Sequence, residues 1–538
     1  MFAIFVGCRR GLRSALGVVG LLAMAACGGG GGGDGAHLPV QPPMAVTLSA
    51  APEPIKQVVL NWAGVAPDAT VVVQENLDGQ SGFADQLTLP PGTTTARLPV
   101  FLPTRWGAQY RLRACWAMDC QESRPVGLSR ELDAAVGYFK PAAQGGSGQF
   151  GASVAVSSDG GTLAVGAPGA RTVEVFVREG AAWRPQAVLL APGGVDGHWG
   201  ASLALSGDGA LLVVGAPQDQ AKGQVVVWSR VGQTWSHQAT LSGAGSGADA
   251  YGAAVAWSSS GDYLAVGAPR ERQGAVASGA VYVYFHGSAA WRLLDRRDSP
   301  DLRSDTGFGT SVALSADGTS LLVGAPQSGA GIGAAHVYAL GGQVFHWSAS
   351  LAGAPDQGDR QFGQSVAWAQ RNGTPWVAVG APCSLSLLAV PCAGAVHVWR
   401  AGAPGAWVQE AVWQAAEPRP GDLFGYAVAL SANASVLAVG TPNDAGGSRG
   451  IGPGTGEQTA DGSGAAYVFR RSGEEWLGPV AVKAPNAGRY DDFGRGVALS
   501  AEGDTLAVGA PWEASAATGI GGDASDDSLL GRGAVYLY

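Results

Sequence analysis

Acids recur just ahead of a repeated aromatic-glycine pair in this sequence. Asp196, Asp249, Asp305, Asp359, Asp422, Asp491 and Asp492 each stand within three residues of such a pair. Carboxylates so placed can accept backbone N–H bonds in a turn. They can also form an acidic ring that attracts a cation or a basic partner, so all seven are candidates for a ligand-binding face. The densest acidic group is Asp523, Asp526 and Asp527, beside Gly521 and Gly522. It is the one candidate for calcium, set against a solvated loop, and no other cofactor is called for. The seven histidines are scattered: His37, His198, His237, His286, His336, His346 and His397. His336 and His397 hold the same place in different repeats, which reads as packing. No H-E-x-x-H, Walker loop or C-x-x-C is present, so no nucleophile or base is named and the chain is not expected to be an enzyme. Cys115 with Cys120 and Cys383 with Cys392 form two local pairs, read as disulfides of an exported chain. Zinc is the competing reading, and would need the two distant pairs to meet.

The elements that hold these residues follow from composition. Of 538 residues, 85 are Gly and 31 are Pro, and only 14% are charged. That disfavours helices, because Gly costs roughly 1 kcal/mol per interior helix position. Gly without a G-X-Y period excludes collagen. A hydrophobic content of 46% with 17 Trp excludes a mostly disordered chain. Short strands joined by Gly-rich turns remain, hence an all-β fold. Residues 1–26 carry Arg9, Arg10 and Arg13 and no acid, then an apolar stretch from Ala15 to Ala26, in the form of a secretory signal. Leu22-Ala23-Met24-Ala25-Ala26-Cys27 resembles a bacterial lipoprotein signal, which implies lipidation of Cys27; an ordinary signal cleaved elsewhere is the alternative. Residues 27–43, with six glycines at 28–33, then form a flexible tether. By the same resemblance, the lack of Asp after Cys27 favours the outer membrane or cell surface of a Gram-negative bacterium. The formal charge of −9 becomes −9 − 3 = −12 once the three signal arginines are removed, which disfavours nucleic acid as a partner.

Residues 44–134 read as a separate small domain. Val58–Trp62, Ala69–Gln74, Thr94–Val100 and Gln109–Trp116 are strand-like, separated by turns such as Leu77-Asp78-Gly79. About seven strands in ninety residues suit a β-sandwich. The segment resembles a fibronectin type III domain, which implies Trp62 as the core aromatic and Tyr110 as the corner tyrosine. Cys115 and Cys120 would then staple the last hairpin.

Two motifs repeat through residues 136–538. The aromatic-glycine pair occurs at Phe150, Trp199, Tyr251, Phe308, Phe362, Phe424 and Phe493, each followed by Gly. Gly-Ala-Pro follows at Gly166, Gly215, Gly267, Gly324, Gly380 and Gly509, with Gly440-Thr441-Pro442 as the variant. The fourth copy reads as strands Gly309–Leu314, Ser320–Gly324, Ala335–Tyr338 and Trp347–Leu351. An aromatic is expected to open each outer strand: Trp183, Trp235, Trp291, Trp347, Trp407 and Trp476. The last copy lacks its fourth strand, and Val136–Lys140 is expected to supply it. The paired motifs resemble the FG-GAP repeat of the integrin alpha-subunit propeller. That implies a seven-bladed β-propeller whose relatives bind proteins or cell surfaces. Relatives often carry a D-x-D-x-D-G-x-x-D calcium loop. Here the corresponding turns, such as Ser157-Ser158-Asp159-Gly160, keep one acid and are expected to be tight turns.

These readings predict a lipid-anchored binding or adhesion protein that recognises a protein or glycan through loops on one propeller face. The longest loops, 443–464 and 512–531, and the lobe clipped by Cys383 and Cys392 are where specificity is expected. A propeller hydrolase or lyase acting on surface polysaccharide, and a structural component of the envelope, are the alternatives.

Overall fold

The computed structural model describes residues 45–538 apart from 117–118, 129–130, 144, 195–196, 219–221, 246, 288–289, 302, 354–357, 385–389, 404 and 453. The expectations on residues 1–26, Cys27 and the tether lie outside the described residues. The chain is nearly all β.

Residues 45–134 form two antiparallel sheets. One contains Thr47–Glu53, Gln57–Ala63 and Thr95–Pro99; the other orders Ala84–Leu89, Thr70–Asn76, Gln109–Trp116 and Asp119–Glu122 side by side. Alternation sets their inner faces. Val58, Leu60 and Trp62 from the first sheet share one core with Val71, Val73, Tyr110 and Leu112 from the second. The Trp62 indole N–H donates to Thr93 O at 2.9 Å. Cys115 and Cys120 face each other across the last hairpin and are bonded.

Beyond residue 136 the chain builds four-stranded antiparallel sheets in succession. In the fourth, Ser311–Leu314, Ser320–Ala325, Ala334–Gly341 and Val344–Ala352 pair in sequence order. The same order recurs within 153–190, 202–241, 254–298 and 365–413, and within 427–482, where Ile451–Gly452 adds a fifth strand at the outer edge. In the last sheet, Gly496–Leu499, Leu506–Ala510 and Ala534–Leu537 are joined by Gly137–Phe139, whose Tyr138 pairs with Tyr536. Second strands such as Thr162–Ala167 are buried throughout, because neighbouring sheets cover both faces. The short first strands touch one another in turn, and Ser153–Val156 also touches Gly496–Leu499 of the last sheet. A bulge interrupts the third-to-fourth pairing at the same place in six sheets, for example between Val337 and Tyr338, which sharpens the twist.

One expectation is corrected. The outer strand of the fourth sheet begins at Val344, and Phe345, fully buried, takes the place that Trp183 and Trp235 hold elsewhere. Trp347 lies two residues further on, and 59% of it is exposed. The strand is longer than Trp347 alone suggests, and phenylalanine fills the pocket.

The two motifs act on each other across sheet boundaries. Within a repeat, the Gly of the aromatic pair donates its N–H to the carbonyl of Gly-Ala-Pro, as from Gly151 to Gly166 at 3.0 Å. Between repeats, a Cβ on Gly166 would lie 2.1 Å from Gly200 O, and one on Gly509 would lie 1.9 Å from Gly151 O. No side chain fits there. Ser153, Ser202, Ser311 and Ser365 add hydroxyl bonds to the next repeat's glycine carbonyl at 2.7 to 2.8 Å.

The small segment and the sheets share a core. Leu132, Ala135 and Tyr138 sit in one cluster with Val436, Ile451 and Tyr538. The Lys56 ammonium donates to Thr505 Oγ1 at 2.5 Å and to Asp504 O at 2.5 Å in the last sheet. Burial pulls its pKa down to about 8.

Candidate functional site

In an antiparallel sheet alternate connections emerge at opposite ends. The turns after the first and third strands are tight hairpins. Ser157, for instance, bonds Asp159, whose Oδ1 accepts from Gly161 N at 2.8 Å. At the other end, the loop after the second strand meets the loop that leads into the next sheet. Parallel bridges join Gly333 to Phe362, Gly394 to Phe424, Gly464 to Phe493 and Gly533 to Phe150. This end carries the long loops and is the candidate binding face.

The aromatic side chains point away from it into the core; Phe150, Trp199, Tyr251, Phe308, Phe362, Phe424 and Phe493 are all fully buried. The residue just before each has positive φ: Gln149, His198, Ala250, Gly307, Gln361, Leu423 and Asp492. The kink turns the chain from the outer edge of one sheet to the first strand of the next.

Beneath the face runs a layer of buried polar side chains. Glu174, Tyr282, His336, His397, Tyr467 and Tyr536 occupy one register position, each opposite the residue before Gly-Ala-Pro or Gly-Thr-Pro. Glu271, Asp444 and Glu513, four residues after the Gly of that motif, reach into the layer. Glu271 accepts from the Tyr282 hydroxyl at 2.7 Å and from Arg296 at 2.8 Å. Asp444 accepts from the Lys483 ammonium at 2.9 Å, which also donates to Ser463 Oγ and Gly464 O. Glu513 pairs with Lys140 and accepts from the Tyr138 hydroxyl at 2.9 Å. His397 Nε2 stands 3.2 Å from Asp359 Oδ2. Burial holds His336 near 4, hence neutral at pH 7. Closed to solvent, this layer braces the loops. Sequence reading noticed the two histidines but missed the acids, whose signal is the fixed offset from the Pro motif.

The seven candidate aspartates divide. Asp196 lies outside the described residues. Asp249, Asp359, Asp422 and Asp491 are buried. Asp422 accepts from Arg419 N at 3.0 Å and Asp491 from Gly488 N at 2.7 Å. Burial raises both carboxyls to about 7, with Asp444 adding to the effect at Asp422. Asp492 is half-buried, 3.8 Å from Arg495, and Asp305 is exposed. Asp523 and Asp526 turn back on their own loop, accepting from Ser525 N and Ser528 N at 2.9 Å each. Among the described residues, no group of three or more His, Cys, Asp or Glu could hold a metal ion, and that includes Asp527.

The face has a cavity of about 710 Å³ at the inner end of the second to fourth sheets. Its lining repeats in register. Pro217 and Pro269 come from Gly-Ala-Pro, Gln218 and Arg270 follow them, Ala250 and Gly307 precede the aromatics, and Ala253 and Thr310 stand just before the first strands. Asp305 and Arg270 are the charged groups in it. Elsewhere on this face Tyr490 is 62% and Trp512 42% exposed. A Cβ on Gly531 would meet the Trp512 ring at 2.8 Å, so that ring packs close to Gly531. Arg495 sits 4.7 Å above the Tyr426 ring.

The loops expected to carry specificity are also built into the fold. Ile451–Gly452, from the loop 443–464, pairs with the outer strand Glu475–Val482. Ile520, from the loop 512–531, bridges Phe139. Both cover sheet edges that would otherwise be unpaired. Cys383 and Cys392 are bonded, and the two disulfides point to an oxidising compartment. No helix among the described residues is long and apolar enough to cross a membrane.

No family model matches the chain, and no curated protein does. Solved structures with similar folds include hydrazine synthase of Kuenenia stuttgartiensis, at 12% identity and TM-score 0.45, covering 68% of this chain and 92% of that one. The Swd1 β-propeller domain of Myceliophteria thermophila aligns at 12% identity and TM-score 0.44, over 74% of this chain and 99% of its own. A putative 6-phosphogluconolactonase of Bacteroides fragilis aligns at 12% identity and TM-score 0.41, over 69% and 86%. At these scores the likeness carries no argument about function, and the expectation of a non-enzyme gains nothing from it. The β-propeller architecture rests on the repeated four-stranded sheets and the chain of first-strand contacts.

Proposed function

We propose that residues 136–538 close into a seven-bladed propeller of FG-GAP type, and that residues 44–134 are a fibronectin type III-like sandwich docked on it. Contacts between first strands, and between glycines of successive repeats, that return from the last sheet to the first support the closed ring. The strand order in the two small sheets supports the sandwich. The protein acts as an exported, lipid-anchored binding protein whose loop-bearing face recognises a protein or glycan.

The observation that carries this reading is the 710 Å³ cavity. Apart from Pro217 and Pro269 of the constant motif, it is lined by positions that vary from repeat to repeat, such as Gln218 and Arg270, while the glycines and aromatics beneath stay constant. A rigid frame with variable lining is how binding specificity is commonly built. Trp512 and Tyr490 add exposed aromatic surface that loses little side-chain entropy on binding.

The test is capture on a glycan array and from envelope extract, comparing the parent chain with Arg270→Glu and Trp512→Ala. Both variants should keep the parent's thermal midpoint within a few degrees and lose capture. Retention by both variants would refute this face as the binding surface.

A further inference from the structure

Opposite the loop-bearing face, the hairpins of the fifth and sixth sheets enclose a second cavity, of about 630 Å³. Three guanidinium groups line it: Arg371, Arg400 and Arg471. Two carboxylates accompany them. Glu410 is bonded to Arg400. Glu474 accepts from Arg471 Nη2 at 3.0 Å and stands 3.8 Å from Arg371. The Glu474 side chain is 84% exposed, so it is a weak counter-charge. Three cations against two acids leave a local positive surplus on a chain whose formal charge is −9.

Arg471 is the unusual member. Its side chain is only 2% exposed. Its guanidinium lies 4.5 Å from the Trp376 ring and 5.4 Å from that of Trp476. The rings engage the faces of the group, and Nη2 donates to Glu474 Oε2 and, at 2.8 Å, to Glu474 O. Nε and Nη1 have no hydrogen-bond partner. Burial and the neighbouring Arg371 both disfavour its charge. Arg371 Nη2 donates to Gly473 O at 3.0 Å. Thr374 and Asn372 bring neutral polar groups to the lining.

We propose that this cleft binds a tetrahedral oxyanion, a phosphate or sulfate group, between Arg371 and Arg400 with Arg471 in its floor. Guanidinium forks match the oxygens of such a group. An anion there would supply the negative charge that the buried arginine lacks. The site is separate from the binding face and does not depend on that face's role.

The experiment is titration of the full chain with inorganic phosphate, sulfate, acetate and chloride at constant ionic strength, by calorimetry and thermal melting. Phosphate or sulfate should bind with one-to-one stoichiometry and raise the melting midpoint above the chloride value. Preference between the two distinguishes a phosphorylated from a sulfated ligand. The double variant Arg371→Gln/Arg400→Gln should melt near the parent in chloride and bind at least tenfold more weakly. No response beyond chloride, an equal response to acetate, or a response that survives in the double variant would each overturn the site.

Discussion

If the ring is closed, the joint between its ends must be as tight as the joints inside it. Gly533 tests this. Its φ is +83°, and an added Cβ would lie 2.1 Å from Phe150 O and 2.6 Å from Phe150 N. Gly464 is the equivalent internal joint, at φ +77° and 2.1 Å from Phe493 O. Gly473, in a hairpin turn of the sixth sheet, has φ +61° and nothing within 4 Å of the added carbon. Alanine in the left-handed region costs about 1–2 kcal/mol by itself. Forcing a methyl group against fixed backbone adds roughly 1–3 kcal/mol. Gly473→Ala should therefore lower stability by about 1–2 kcal/mol, and Gly464→Ala by about 2–5 kcal/mol. Gly533→Ala should match Gly464→Ala, although its partner is some 380 residues away in the chain. Urea unfolding followed by tryptophan fluorescence reads the differences. A Gly533→Ala variant no weaker than Gly473→Ala would show that the first and last sheets do not meet, and closure would fall.

Other outcomes are equally open to measurement. Glu174 is buried, accepts from Ala142 N at 3.0 and 3.1 Å, and is raised from 4.5 to about 7 by burial. Its folded form holds a proton that the unfolded form has lost, so its contribution to stability falls as pH rises from about 4.5 to 7. Glu174→Gln should therefore differ little from the parent at pH 4 and become the more stable of the two by pH 8. The gain is on the order of 3 kcal/mol, read from urea midpoints against pH. A difference that stays flat with pH would exclude the carboxyl as its source. Ser365→Ala removes the bond to Gly425 O at 2.8 Å and should cost about 1 kcal/mol, measured the same way. Replacing Cys115 and Cys120 by serine should lower stability by about 2 kcal/mol on the loop-entropy model. Faster amide exchange should then be confined to Gln109–Glu122.

Periodicity made much of the fold readable. The aromatic-glycine and Gly-Ala-Pro motifs located the first and second strands because both motifs are fixed by backbone contact, which tolerates no substitution. The second strands were plain for a related reason: burial on both faces leaves an unbroken apolar run. Ala84–Leu89 was missed because it is largely exposed and its alternation is confined to Leu87-Thr88-Leu89. The glycine before the third strand, as at Gly333 or Gly464, went unnoticed amid 85 glycines. Only the carbonyl opposite it explains why it is there. The candidate face was harder. Asp249, Asp359, Asp422 and Asp491 look like surface acids in sequence, yet they sit inside their loops. The partners of Glu513 and Asp444, Lys140 and Lys483, stand just past the ends of strands, one of them 373 residues distant. No local pattern encodes such a pairing. Arg371, Arg400 and Arg471 meet for the same reason, through two neighbouring sheets rather than one stretch of chain.

The bridges that join the glycine before a third strand to the next repeat's aromatic, found at four boundaries, have a consequence for engineering. Loops on the candidate face come as couples, one from each side of a boundary between sheets. A graft cut at the ends of a sequence repeat would divide every couple and leave mismatched halves. The transplantable cassette is instead offset by one strand of the four. It runs from the second strand of one sheet, through its outer strands, to the first strand of the next.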